Sequence, residues 1–186
     1  TGVQTCALPI YQFGLGIQDC PGPIPDPEQV RLMAHAAVNR GVRGLMFFPH
    51  HSLQLVPELA GEVALFCREL GLFNDQLAAG EQSLNLPTSQ ADVNAAAFTH
   101  DGSVALSVML MKDHYHRWID DGIAENVTVR VPWNGRKSPS ALLVATPDVV
   151  ECTVERVGSD SVDVTIPRLE IAGFILLSAD RSELRQ

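Results

Sequence analysis

Two short clusters hold the side chains best placed for chemistry: Gln18-Asp19-Cys20 closes one apolar run, and Pro49-His50-His51 closes another. In α/β folds reactive groups gather beyond the carboxyl ends of strands, where the loops converge on one face. Asp19 is the candidate catalytic residue, as one member of the carboxylate pair that glycoside cleavage requires. A turn-stabilising carboxylate is the competing reading, and it weighs more, because Asp is common at strand-to-loop junctions. Gln18 offers a donor and an acceptor at one position and suits a sugar hydroxyl, or serves structure alone. His50 and His51 are candidate substrate-binding residues. Adjacent in extended backbone, they point to opposite sides and do not chelate one metal, so no metal site is expected.

Other chemistry finds less support. His114 and His116 would share one side of a strand, with Tyr115, Trp118 and Trp133 near in sequence. They could form an aromatic platform for a sugar ring, but the tryptophans are expected to fill a core instead. Phe13-Gly14-Leu15-Gly16 lacks the third glycine of a phosphate loop, and no serine sits on a G-x-S-x-G elbow. No cofactor is implied. Cys20, Cys67 and Cys152 form no C-x-x-C pair, and the last two read as buried small hydrophobes.

The elements that must position the two clusters begin with a helix from Asp26 to Gly41. Asp26 caps it, Pro27 takes the first position, Gln29 completes a capping box, and Val30, Met33, Ala34, Ala37 and Val38 form an apolar stripe. Val42 to Phe48 follows as an apolar run without alternation, as in a parallel strand covered on both faces. A second helix starts at Pro57 and ends at Gly71, with Leu59, Val63, Phe66, Cys67 and Leu70 on one face. Strand, helix, strand, helix is the repeating unit of a (β/α) fold.

From Ala91 the grammar changes to short runs between turns. Strands are predicted at Asn94–Thr99, Val104–Met111, Asn126–Val131, Ala141–Ala145, Val149–Val157, Ser161–Ile166 and Ile171–Ser178. Asp101-Gly102 is a hairpin signal, and the alternation in Val150-Cys152-Val154 and Val162-Val164-Ile166 marks half-buried antiparallel strands. Seven such strands predict a β-sandwich.

The expected fold class is thus α/β plus all-β: the last two βα units of a (β/α)8 barrel, then an antiparallel β-sandwich. The expected division is 1–10 as an artefact, 11–80 as partial barrel, 81–90 as linker and 91–186 as sandwich. Thr1 to Ile10 resembles the translation of a sequencing-library adapter and is left out of fold reasoning. On this reading the chain is the end of a longer protein, and its compartment stays open, a secreted or periplasmic one being compatible.

The 186 residues are 46% hydrophobic and 19% charged, as in an ordinary globular chain, and carry a formal charge of −9. With thirteen Lys and Arg scattered along the chain, no nucleic acid or anionic membrane partner is expected. The longest apolar stretches fall short of the roughly 20 residues that span a bilayer. Oligomeric state is not encoded in any feature.

Gly14 to Gln18, Pro27-Glu28-Gln29-Val30-Arg31-Leu32-Met33-Ala34 and Gly41-Val42-Arg43-Gly44-Leu45-Met46-Phe47-Phe48 together resemble the last two βα units of a TIM-barrel glycoside-hydrolase-like protein. The later strands resemble the accessory β-domain that often closes such chains. The resemblance implies a carbohydrate substrate or ligand and a parent that cleaves glycosidic bonds, with this chain inactive alone. Retaining members of that clan place a glutamate at the end of the seventh strand; the matching position here holds Gln18 or Asp19. The departure opens a second reading, a carbohydrate-binding or surface-interaction protein whose barrel does not cleave.

Overall fold

The computed structural model describes residues 26–45, 57–111, 123–145 and 148–180. Three helices and eight strands follow in chain order among them: α1 (Pro27–Asn39), α2 (Pro57–Leu72), α3 (Asn74–Ala79), β1 (Glu81–Ser83), β2 (Val93–His100), β3 (Ser103–Leu110), β4 (Ile123–Pro132), β5 (Ser140–Ala145), β6 (Asp148–Val157), β7 (Ser161–Glu170) and β8 (Ala172–Ser178).

The strands form one sheet in the order β1-β2-β3-β8-β5-β6-β7-β4, antiparallel at every junction. The sheet curls. Its last strand, β4, is stitched to the β1–β2 connection by Ser89 N–H to Thr128 O (2.9 Å), Arg130 N–H to Pro87 O (2.9 Å) and a bridge between Thr88 and Val129. The concave side holds the larger core, to which every strand from β2 to β8 contributes alternate residues, such as Leu106, Val129, Val164 and Ile175. Trp133 fills one end of it: the indole is buried, and its Nε1–H donates to Lys137 O at 2.9 Å.

This architecture corrects the expected fold class. No described strand is parallel, and α1 and α2 are not parts of two βα units of a TIM barrel. Val42–Leu45 leaves α1 without strand structure, and Arg43 donates instead to Ala78 O (2.5 Å) and Gly80 O (2.7 Å), the free carbonyls at the end of α3. Residues 46–48 of the expected strand lie outside the described residues, as does the run ending at Gln18. A continuous apolar run has no period that separates a parallel strand from other buried segments, hence the error. The expected two-sheet sandwich is also replaced, by a single curled sheet. Alternation reports that one side of each strand is buried, not how many sheets enclose the core.

The seven later strands fall within a few residues of their predicted places. Asp101 and Gly102, at φ 44° and 79°, make the tight turn expected between β2 and β3. Glu81–Ser83, where the sequence suggests a linker, pairs with β2 as β1. Gly71 does not end α2, which continues to Leu72, and Cys67 is exposed rather than buried. Cys152 is buried, which pushes its thiol up to about 11. Ile171, at φ 52°, turns the corner between β7 and β8, where the chain leaves one flank of the sheet for its middle.

The termini of α1 match their signals. Asp26 Oδ1 accepts from Gln29 N–H at 2.7 Å, and Gln29 Oε1 accepts from Asp26 N–H at 3.3 Å, closing the capping box. At the other end Gly41 N–H donates to Val38 O (2.8 Å) and Val42 N–H to Ala37 O (3.1 Å), a Schellman motif. Gly41 has φ +82°, and a Cβ there would stand 2.8 Å from Gln82 Oε1, whose side-chain amide donates to Gly41 O. Gly41→Ala is therefore expected to destabilise the fold by about 1–2 kcal/mol, the cost of left-handed backbone for an L-residue. The denaturant midpoint should fall with an unchanged slope.

Candidate functional site

The outer face of the sheet carries a second, separate core. Ala96 and Phe98 on β2, Ala105 on β3 and Phe174 on β8 meet Ala34 and Val38 of α1, Phe66 of α2, and Phe73 and Leu77 near α3. Small side chains on both sides let α1 lie close to β3, all of whose residues are buried. Ser107 is one of them, facing α1 in the row Ala96, Ser107, Phe174.

Into this apolar interface α1 projects a polar stripe, Arg31, His35 and Asn39, at i, i+4 and i+8, all buried. Arg31 Nε donates to Glu62 Oε1 at 2.6 Å, and its Nη1 and Nη2 donate to the Glu69 carboxylate at 3.0–3.1 Å. His35 Nδ1 lies 3.1 Å from Ser107 Oγ, its ring centroid 4.5 Å from that of Phe174 and 5.3 Å from that of Phe66. Asn39 Nδ2 donates to Asn94 O at 3.4 Å. Among the described residues, His35 Nε2 and Asn39 Oδ1 have no hydrogen-bond partner.

The electrostatics follow from burial. His35 is wholly enclosed, and burial, helped by the Arg31 cation, lowers its imidazole to about 3, so it is neutral at pH 7. The Glu62 carboxyl is held above its usual range. Burial is the larger cause and outweighs the attraction and hydrogen bond of Arg31, and the neighbouring Glu69 adds to the rise. Two carboxylates share one guanidinium, and Glu62, on the more open side of the pair, bears the cost.

Histidine beside serine is a nucleophile-and-base pairing by type. Here both are completely buried between α1 and the sheet, where no substrate reaches the hydroxyl. The cluster joins helix to sheet; it is structural. Its sequence signal was open to view, a polar i, i+4, i+8 series beside the apolar stripe, matched by Glu62 and Glu69 at i and i+7 on α2.

Gln18, Asp19, His50 and His51 all lie outside the described residues, as do His114, Tyr115, His116 and Trp118. Trp133 is a core residue and offers no exposed platform. Among the described residues, no group of three or more His, Cys, Asp or Glu could hold a metal ion.

No protein-family model matches the chain, and no curated protein does. Solved structures do. A Paenibacillus sp. cycloisomaltooligosaccharide glucanotransferase, complexed with cycloisomaltoheptaose, is similar over 81% of this chain and 27% of its own, with a TM-score of 0.53 and 10% identity. An alpha-fucosidase from Thermotoga maritima is similar over 89% and 37% of the two chains (TM-score 0.45, 13% identity). A maltogenic alpha-amylase from Thermotoga neapolitana is similar over 79% and 36% (TM-score 0.45, 15% identity). These neighbours are carbohydrate-active enzymes, and the chain spans between about a quarter and two fifths of their lengths. The first likeness establishes a shared fold.

Proposed function

We propose that this chain works as part of a carbohydrate-active protein of the glycoside hydrolase kind, one that acts on glycosidic bonds. The observation that carries the reading is the fold likeness to a portion of a glucanotransferase. Gln18 and Asp19 precede the cap of α1 by eight and seven residues, and His50 and His51 precede Pro57 by seven and six, so each cluster leads into a helix over a similar length of chain. In this reading Asp19 is a catalytic carboxylate, and Gln18, His50 and His51 hold sugar hydroxyls. The second carboxylate that glycoside cleavage demands, placed roughly 5–10 Å from the first, belongs to sequence outside these 186 residues.

The purified chain is then expected to bind isomaltooligosaccharides weakly, in the millimolar range of about −4 kcal/mol, and to turn over no aryl glycoside. Ligand-observed NMR against the wild type and a Gln18→Ala/His50→Ala variant checks this. Binding lost in the variant supports the assignment. Binding unchanged in the variant, no binding to any glycan tested, or glycoside turnover by the chain alone would overturn it.

A further inference from the structure

The two cores are separate: one lies inside the curled sheet, the other between its outer face and the helices. The helical layer can therefore leave without opening the first. The groups that would register such a release sit at its centre. His35 is sealed between α1, α2 and the sheet, and among the described residues its Nε2 has no partner and its Nδ1 meets only a serine hydroxyl. An imidazolium there would need a second acceptor, which none of the described residues supplies. We propose that the layer of α1 and α2 is an acid-released element: protonation of His35 undocks it from the sheet, which keeps its own interior.

Every described charged group facing His35 bears on the sign. From α1, Arg31 adds a positive charge one turn away, which opposes protonation. From α2, Glu62 and Glu69 face the cluster, but both are engaged by Arg31. The rows of β2, β3 and β8 beneath the ring are uncharged, including Ala96, Ser107 and Phe174. Docked, the ring titrates at about 3; released into water it returns to about 6.5. The released state therefore binds the extra proton, so docking is fully supported above pH 6.5 and weakens as pH falls toward 3. Glu62 acts in the opposite sense, since a carboxyl raised in the docked state favours docking once pH drops below its shifted range.

Hydrogen exchange of the full chain between pH 7.5 and pH 5, corrected for intrinsic rates, is the test. The opening constant of α1 and α2 amides is expected to rise about 30-fold, the proton-linkage factor for these two titration points, while amides of β4 and β7 change far less. His35→Leu should abolish the rise, and Glu62→Gln should preserve it. Parallel loss of protection in helices and sheet, or a pH dependence that persists in His35→Leu, overturns the proposal. A readout without any variant is NMR of the wild-type imidazole: its Hε1 resonance should stay fixed from pH 8 to pH 5, and a titration near 6.5 in the docked protein would sink the idea.

Discussion

Arg31→Met should destabilise the protein by about 3–5 kcal/mol, the usual consequence of removing one partner from a buried ion pair. That is a large share of the roughly 5–15 kcal/mol by which a typical domain is stable. The reason lies in what remains. Glu69, with a side chain only 3% exposed, would lose the donors that reach both of its oxygens, and Glu62 would lose its 2.6 Å contact. The cation cannot be dispensed with while the carboxylates stay.

The two acids should then differ. Glu62→Gln removes a carboxylate already pushed toward its neutral form and is expected to cost under about 1 kcal/mol. Glu69→Gln removes the two-oxygen partner of a buried guanidinium and should cost about 2–4 kcal/mol. Replacing all three, as Arg31→Met, Glu62→Gln and Glu69→Leu, should recover most of the loss, because an apolar substitute for a buried pair is often neutral. Chemical denaturation of the single and combined variants measures each quantity. Equal losses for Glu62→Gln and Glu69→Gln would refute the unequal sharing of the cation.

The legible parts of this chain are those whose information is local. Asp26, Pro27 and Gln29 specify the start of α1 within four residues, and Gly41 specifies its end, so the helix is found where its caps lie. Asp101-Gly102 and the alternation along β7 are equally self-contained. What pairs with what is a long-range matter. Val42–Phe48 is apolar enough for a strand, yet in its described part Arg43 reaches the end of α3, a contact that no window around residue 43 contains. The sheet order places β8 between β3 and β5, so the last strand in sequence sits near the middle of the sheet. The buried cluster was legible in part: the four-residue spacing of Arg31, His35 and Asn39 is visible, but Arg31 is covered by α2, and His35 and Asn39 by β3 and β2, all distant in sequence. The candidate residues Gln18, Asp19, His50 and His51 follow from position in an expected (β/α) unit, which a helical layer on an antiparallel sheet replaces, and they lie outside the described residues.

Phe174 is where the sheet and the helices are most strongly joined. It lies on the outer side of β8, fully buried, with ring centroids 4.5 Å from His35, 5.0 Å from Phe73 and 6.1 Å from Phe66. Phe174→Ala should cost about 3–5 kcal/mol, from lost transfer energy plus the cavity left behind. Its neighbour Ile175 faces the other way, into the interior of the curled sheet, and Ile175→Ala should cost about 2–5 kcal/mol. Adjacent positions of comparable burial thus probe different cores. Hydrogen exchange should separate them, because losing Phe174 loosens α1 and α2 ahead of β4 and β7, whereas losing Ile175 loosens the strands directly. Phe174→Leu, which keeps most of the volume, should return protection to the helices. The same pattern of exchange in both alanine variants would mean that the two cores melt as one unit, and the separate release of the helical layer would fall with that result.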